Sequence, residues 1–123
     1  MKIQESAENY LETILVLSLD KPYVRSIDIA NELGFSKPSV SVAMKNLRNS
    51  GHIRVDENGH ITLAPPGKKI AEMIYERHRI LFQWLESLGV SRETASEDAC
   101  RIEHVISEES FAAIKDHLKQ TSV

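Results

Sequence analysis

The chain has one cysteine, Cys100, in 123 residues. An internal disulfide framework is therefore excluded, and a reducing, cytoplasmic setting is expected. Long apolar runs are also missing. No stretch approaches the roughly 20 residues needed to span a bilayer. The opening Met1-Lys2-Ile3-Gln4-Glu5-Ser6 lacks the apolar core of a signal peptide, so no membrane association is expected. Glycine (5) and proline (4) are sparse and there is no low-complexity tract, so disorder is expected only at a few terminal residues. With 41% hydrophobic and 27% charged residues the chain reads as globular, with room for one domain or two small lobes. One segment lacks acid. From Leu33 to Val55 there is no Asp or Glu, yet Lys37, Lys45, Arg48 and Arg54 fall within it. The net charge of −3 hides this polarity, because acids gather at Glu5, Glu8 and Glu12 and again from Glu86 to Glu109.

What is present is mostly helical periodicity. Ala7, Tyr10, Leu11, Ile14, Leu15 and Leu17 form one stripe over residues 6–19, with Ser6 as N-cap and Asp20-Lys21-Pro22 as the stop. Ser26 is expected to cap a short helix over 27–33 with Ile27, Ala30 and Leu33 inward, closed by Gly34. Ser36 caps the next helix, with Pro38 in its first turn. That helix runs to about Asn49, with Val40, Ala43, Met44 and Leu47 inward and Ser39, Ser41, Lys45 and Arg48 outward. Residues 53–63 alternate apolar and polar around Asn58-Gly59, the pattern of a hairpin. Helix, helix, turn, helix, hairpin is the order of a winged helix-turn-helix, whose second motif helix enters the major groove. Ser39 and Ser41 are the expected base readers. Ser36, Lys37, Lys45, Arg48 and, in the hairpin, Arg54 are expected at phosphates.

Pro65-Pro66-Gly67 marks a boundary. The expected domains are residues 1–64 for DNA and 65–123 for metal binding and dimerisation. The second comprises a long helix over about 66–88, a helix over about 92–105 capped by Ser91, and a helix over 108–119 capped by Ser107. Phe82, Trp84, Ile102, Val105 and Phe111 are more apolar surface than such a lobe needs. A homodimer would bury the excess. Its two recognition helices would then meet a palindromic operator with half-sites about 34 Å apart or a multiple of that.

The segment Ala99-Cys100-Arg101-Ile102-Glu103-His104 carries the chemistry. Cys100, Glu103 and His104 lie at i, i+3 and i+4, so on a helix a thiolate, a carboxylate and an imidazole share one face. These donors suit a borderline-soft divalent cation. No nucleophile with a partnering base stands out, nor a loop long enough to line a small-molecule substrate site, so the chain is not read as an enzyme.

Four motifs then resemble the diphtheria-toxin-repressor family of metal-dependent transcriptional regulators. They are E-N-Y-L-E-T-I-L at 8–15, S-K-P-S-V-S at 36–41, R-H-R-I-L at 77–81 and D-A-C-R-I-E-H-V-I-S at 98–107. The resemblance spans nearly the whole chain and is to the short members, those without an SH3-like third domain. It implies a mostly α fold, a winged helix followed by a helical dimerisation lobe, and repression of metal uptake. By position it implies metal ligands at Asn9 and Glu12 on the first helix, His78 on the long helix, and Cys100, Glu103 and His104 on the fifth. The ligand set is a hybrid. Iron-type members share Cys100 but carry Met at the place of Asn9 and no carboxylate at that of Glu12. Manganese-type members share Glu12 but carry Glu at the place of Cys100 and Asp at that of Asn9. The iron-type second site would use an acid and a His where this chain has Phe82 and Ser96. The thiolate favours Fe2+, with Mn2+ second. Ligation needs neutral imidazole and deprotonated thiol, so activation is expected to weaken below about pH 6. The competing readings are a winged-helix redox sensor acting through Cys100, a metalloenzyme, and a metal-binding protein without DNA function.

Overall fold

A computed structural model describes residues 5–121. Met1 to Gln4, part of the segment read above as lacking a signal core, lie outside the described residues. The order is α1 (Glu5–Asp20), α2 (Ser26–Leu33), α3 (Lys37–Asn49), β1 (Ile53–Val55), β2 (Ile61–Leu63), α4 (Pro65–Ser87), α5 (Arg92–Ile102) and α6 (Glu108–Thr121). The mostly α class is as expected, with one two-stranded antiparallel sheet among the described residues. The chain forms two compact units, Met1–Glu72 and Met73–Val123, and the division falls inside α4. No helix of the described residues is long and apolar enough to cross a membrane.

The first unit packs α1, α2, α3 and the hairpin around Leu11, Ile14, Val24, Ile29, Val40, Met44, Leu47, Ile53 and Ile61. The α1 stripe is as the periodicity predicts, but Ser6 lies within the helix and does not cap it. In α2, Ala30 is buried as expected, but Ile29 is buried where Ile27 was expected, and Ile27 is exposed. Residues two apart on a helix point about 200° apart, so only one of the pair can face the core. Ser26 does not cap α2 either. The preceding residue, Arg25, is the N-cap, and its N–H donates to the Asp28 carboxylate at 2.9 Å. Gly34, with φ 71°, closes the helix through its N–H to the Ala30 carbonyl.

In α3, Ser36 caps as expected. Its Oγ accepts the Ser39 N–H at 3.3 Å and donates to Ser39 Oγ at 2.8 Å. The strands pair Ile53 with Leu63 and Val55 with Ile61. Their turn is not a two-residue one. It spans Glu57, Asn58 and Gly59, with Gly59 at φ 79° and the Asp56 N–H donating to the His60 carbonyl at 3.0 Å. Asp56 Oδ1 accepts the Asn58 and His60 N–H groups at 2.9 Å each. The amide of His60 foremost, joined by that of Asn58 and the His60 ring, holds the Asp56 carboxyl below its ordinary range.

Gly67 is buried at the start of α4, where a Cβ would overlap the His52 carbonyl oxygen. That carbonyl already accepts the Ala64 N–H at 3.0 Å. Backbone on backbone cannot yield as a side chain would. Gly67→Ala is therefore expected to cost about 1–3 kcal/mol, read as a lower denaturation midpoint with an unchanged denaturant slope.

In the second unit Ile74, Leu81, Ala95, Ala99 and Phe111 are buried. Ser91 and Ser107 cap α5 and α6 as the sequence indicates, accepting the Thr94 and Ser110 N–H groups. Helix α5, however, stops at Ile102, three residues short of its expected end, with Glu103 as its C-cap. Arg77 provides the reason. Its Nη1 donates to the carbonyls of Glu103 (3.2 Å) and Ile106 (2.9 Å), so the chain leaves the helix without losing those acceptors' partners. Phe111, read above as surplus apolar surface, is buried with the Arg77 guanidinium 5.6 Å from its ring centre. Leu88 and Val105 remain 62% and 73% exposed in the single chain, the kind of apolar surface a dimer covers.

Candidate metal centre and nucleic-acid interface

Helix α5 turns Ala95 and Ala99 inward and carries the buried face on to Glu103, one turn beyond Ala99. Cys100, the next residue round the helix, is exposed. Glu103 is completely buried, which for a carboxylate demands compensation. On α4, His78 supplies some of it, with Nδ1 3.4 Å from Glu103 Oε1. The other oxygen, Oε2, has no hydrogen-bond partner among the described residues. An orphaned buried carboxylate oxygen is costly unless it serves something further.

Ligand atoms of His78, Cys100 and Glu103 all lie within 4.8 Å of one another. A cation holding nitrogen and sulfur donors at about 2.0–2.3 Å separates them by at most about twice that distance. The three donors are thus nearly at coordination spacing, and the mixture of thiol, imidazole and carboxylate fits a divalent transition metal. The cluster joins His78, placed by family resemblance, to two members of the triplet read from helical spacing. Glu103 and His104 fall after α5 and not on it; His104 is half-buried in the turn that follows. Asn9 and Glu12 sit one turn apart on α1 in the first unit, with the Asn9 carbonyl accepting the Thr13 hydroxyl at 2.8 Å. Arg77 was not singled out by sequence reasoning. Its signal was phase: it lies three residues after Ile74 and four before Leu81 on the buried side of α4, an unusual place for arginine.

The second candidate surface belongs to the first unit. Ser36, Lys37, Ser39, Ser41, Lys45, Arg48 and Arg54 are all exposed. At 3.6 residues per turn Lys37, Ser41, Lys45 and Arg48 fall within an arc of about 80°. Ser39 lies on the far edge of the exposed face, with its amide and hydroxyl both engaged by Ser36. Arg48 of α3 and Arg54 of β1 line one open cleft together with Gly51, Val55, Pro65 and Pro66. Helix and hairpin thus present positive charge to a common space, as a polyanion requires.

Residues 2–61 match the model of the iron dependent repressor N-terminal DNA binding domain. Residues 64–123 match that of the iron dependent repressor metal binding and dimerisation domain. The chain is 36% identical over 110 residues to the transcriptional regulator MntR of Salmonella typhimurium, covering 89% of this chain and 70% of that protein. Among solved structures it resembles the manganese regulator SloR (TM-score 0.80, 25% identity, 100% of this chain and 57% of that one). It also resembles a manganese-dependent transcriptional repressor in complex with manganese (TM-score 0.84, 27% identity, 92% and 52%). The chain spans little more than half the length of these two solved chains.

Proposed function

Because the chain belongs to the iron-dependent repressor family, we propose that it is a metal-dependent DNA-binding transcriptional regulator that represses metal-ion uptake as a homodimer on a palindromic operator. DNA binding is assigned to residues 1–64, and metal binding and dimerisation to residues 65–123. The observation that carries the metal half is the meeting of His78, Cys100 and Glu103 donors at a fully buried carboxylate, whose Oε2 has no hydrogen-bond partner among the described residues. His104 and, from α1, Asn9 and Glu12 complete the proposed ligand set. A divalent cation held by these residues would supply the charge that draws donors of the two domains together, and so would link metal supply to DNA binding. The protein side does the rest: Glu103 contributes charge, Cys100 softness, and Arg77 holds the turn from which Glu103 and His104 project. Coupling of about 1–3 kcal/mol between metal and DNA is enough for a regulator.

On the DNA face, Lys37, Lys45, Arg48 and Arg54 meet phosphates, Ser36 fixes the start of the recognition helix, and Ser39 and Ser41 approach base edges. The relatives reported above are named for manganese. The Cys100 thiolate nevertheless favours a softer ion than an all-oxygen and nitrogen site does, and we place Fe2+ ahead of Mn2+. The test is anaerobic enrichment of genomic fragments with Fe2+, Mn2+ or chelator, each at two salt concentrations. Enrichment with metal alone, stronger with Fe2+, is expected. Equal enrichment in chelator would remove metal control, and stronger enrichment with Mn2+ would reverse the order of ions.

A further inference from the structure

The hairpin is fastened to the connection between α1 and α2 by more than its own pairing. The Ile61 N–H donates to the Val24 carbonyl at 2.7 Å. The Tyr23 and His60 rings stack, with centroids 4.2 Å apart and planes 15° from parallel. Arg25 Nη2 lies 3.2 Å from His60 Nε2, and His60 Nδ1 lies 3.3 Å from Asp56 Oδ2. A guanidinium can only donate. Nε2 therefore accepts from Arg25, which leaves Nδ1 as the ring's donor, facing the Asp56 carboxylate. Lys21 and Lys68 line the cleft beside the same stack.

One imidazole thus joins the hairpin turn (Asp56), the connecting segment (Tyr23) and the N-cap of α2 (Arg25). Each strand has only three residues, and a two-stranded ribbon that short is marginal by itself. What fastens it decides where it points.

We propose that His60 is a positioning residue for DNA binding: as the Nδ1–H tautomer it clasps the hairpin to the start of the helix-turn-helix and so fixes Arg54 with respect to Arg48. The clasp is a property of the first unit; only its consequence rests on the DNA-binding reading. His60→Phe keeps the stacked ring and removes its polar contacts to Arg25 and Asp56. His60→Gln restores a carbonyl acceptor for Arg25 and an amide donor for Asp56.

Without DNA, exchange of the Ile61 amide is expected to be roughly tenfold faster in His60→Phe and near the original rate in His60→Gln. With metal and operator-enriched DNA, His60→Phe is expected to lose roughly three- to tenfold in affinity and about one unit of salt slope, with His60→Gln close to unaltered. Arg25→Met should lose as much as His60→Phe, and the double variant no more than either. Unchanged exchange in His60→Phe would remove the clasp. Faster exchange with unchanged salt slope would leave a clasp that positions nothing, and equal impairment of Phe and Gln variants would overturn the tautomer argument. Failure of the unmutated chain to bind DNA with metal would overturn the regulator reading and the role in DNA binding, while the exchange result still decides the clasp.

Discussion

Replacing Glu103 with Gln is expected to abolish the response of DNA binding to metal. The metal-induced gain in affinity, of the order of 5- to 150-fold for a coupling of this kind, should fall to near onefold, while binding in chelator is retained. The substitution is nearly isosteric. It removes the only fully buried carboxylate among the described residues, and with it the one negative charge that the His78 and Cys100 donors gather around. An amide oxygen still ligates, but without the charge that offsets a divalent cation. Titration of DNA with protein at fixed metal, with and without chelator, reads the ratio directly. Cobalt(II) absorption supplies a second readout. The thiolate-to-cobalt band expected from Cys100 should weaken in Glu103→Gln and disappear in Cys100→Ser. A Glu103→Gln protein with undiminished metal response and an intact band would show that the buried carboxylate is structural. A Cys100→Ser protein with an intact band would exclude the thiol from the site.

The second large effect is expected at the other surface. Lys45→Ala combined with Arg48→Ala removes two exposed cations from one edge of α3. If each meets a phosphate, the slope of log affinity against log salt should become shallower by about 1.8. Binding at physiological salt should fall by one to two orders of magnitude, about equally on operator and unrelated DNA, because phosphate contacts position the helix without reading sequence. Both side chains lie outside the core, so thermal stability should stay within about 0.5 kcal/mol of the original. A loss confined to the operator would make these residues base readers. An unchanged slope would move the interface elsewhere on the unit. Metal response should persist at reduced affinity, which separates this variant from Glu103→Gln.

The two outcomes bear on the rival readings as well. A redox sensor acting through Cys100 should lose its oxidant response in Cys100→Ser yet keep its metal response. A metal-binding protein without DNA function should show the cobalt band and no salt-dependent DNA binding. The combination expected here, a band sensitive to Cys100 and Glu103 together with a salt slope sensitive to Lys45 and Arg48, belongs to the regulator alone.

What the sequence determined by itself was local. Periodicity located six helices and a hairpin, because an amphipathic stripe must repeat with the pitch of the element that buries it. Ser36, Ser91 and Ser107 were legible as caps because a hydroxyl before a helical stripe has one obvious amide to satisfy. The acid-free segment from Leu33 to Val55 was legible as a charged face because charge stays at the surface whatever the fold. Cys100 and Glu103 were marked by their spacing and His78 by resemblance. Tertiary structure decided the matters in which two distant residues compete or meet. Ile29, not Ile27, turned inward because the two point about 200° apart and the packed core lies on the side of Ile29. Helix α5 ended at Ile102 because Arg77, 26 residues before Glu103, reaches across to claim its carbonyl. His60 met an arginine 35 residues away. Periodicity reports what one helix or strand needs; a hydrogen bond between elements depends on where both ends arrive, and that is settled only when the chain has packed.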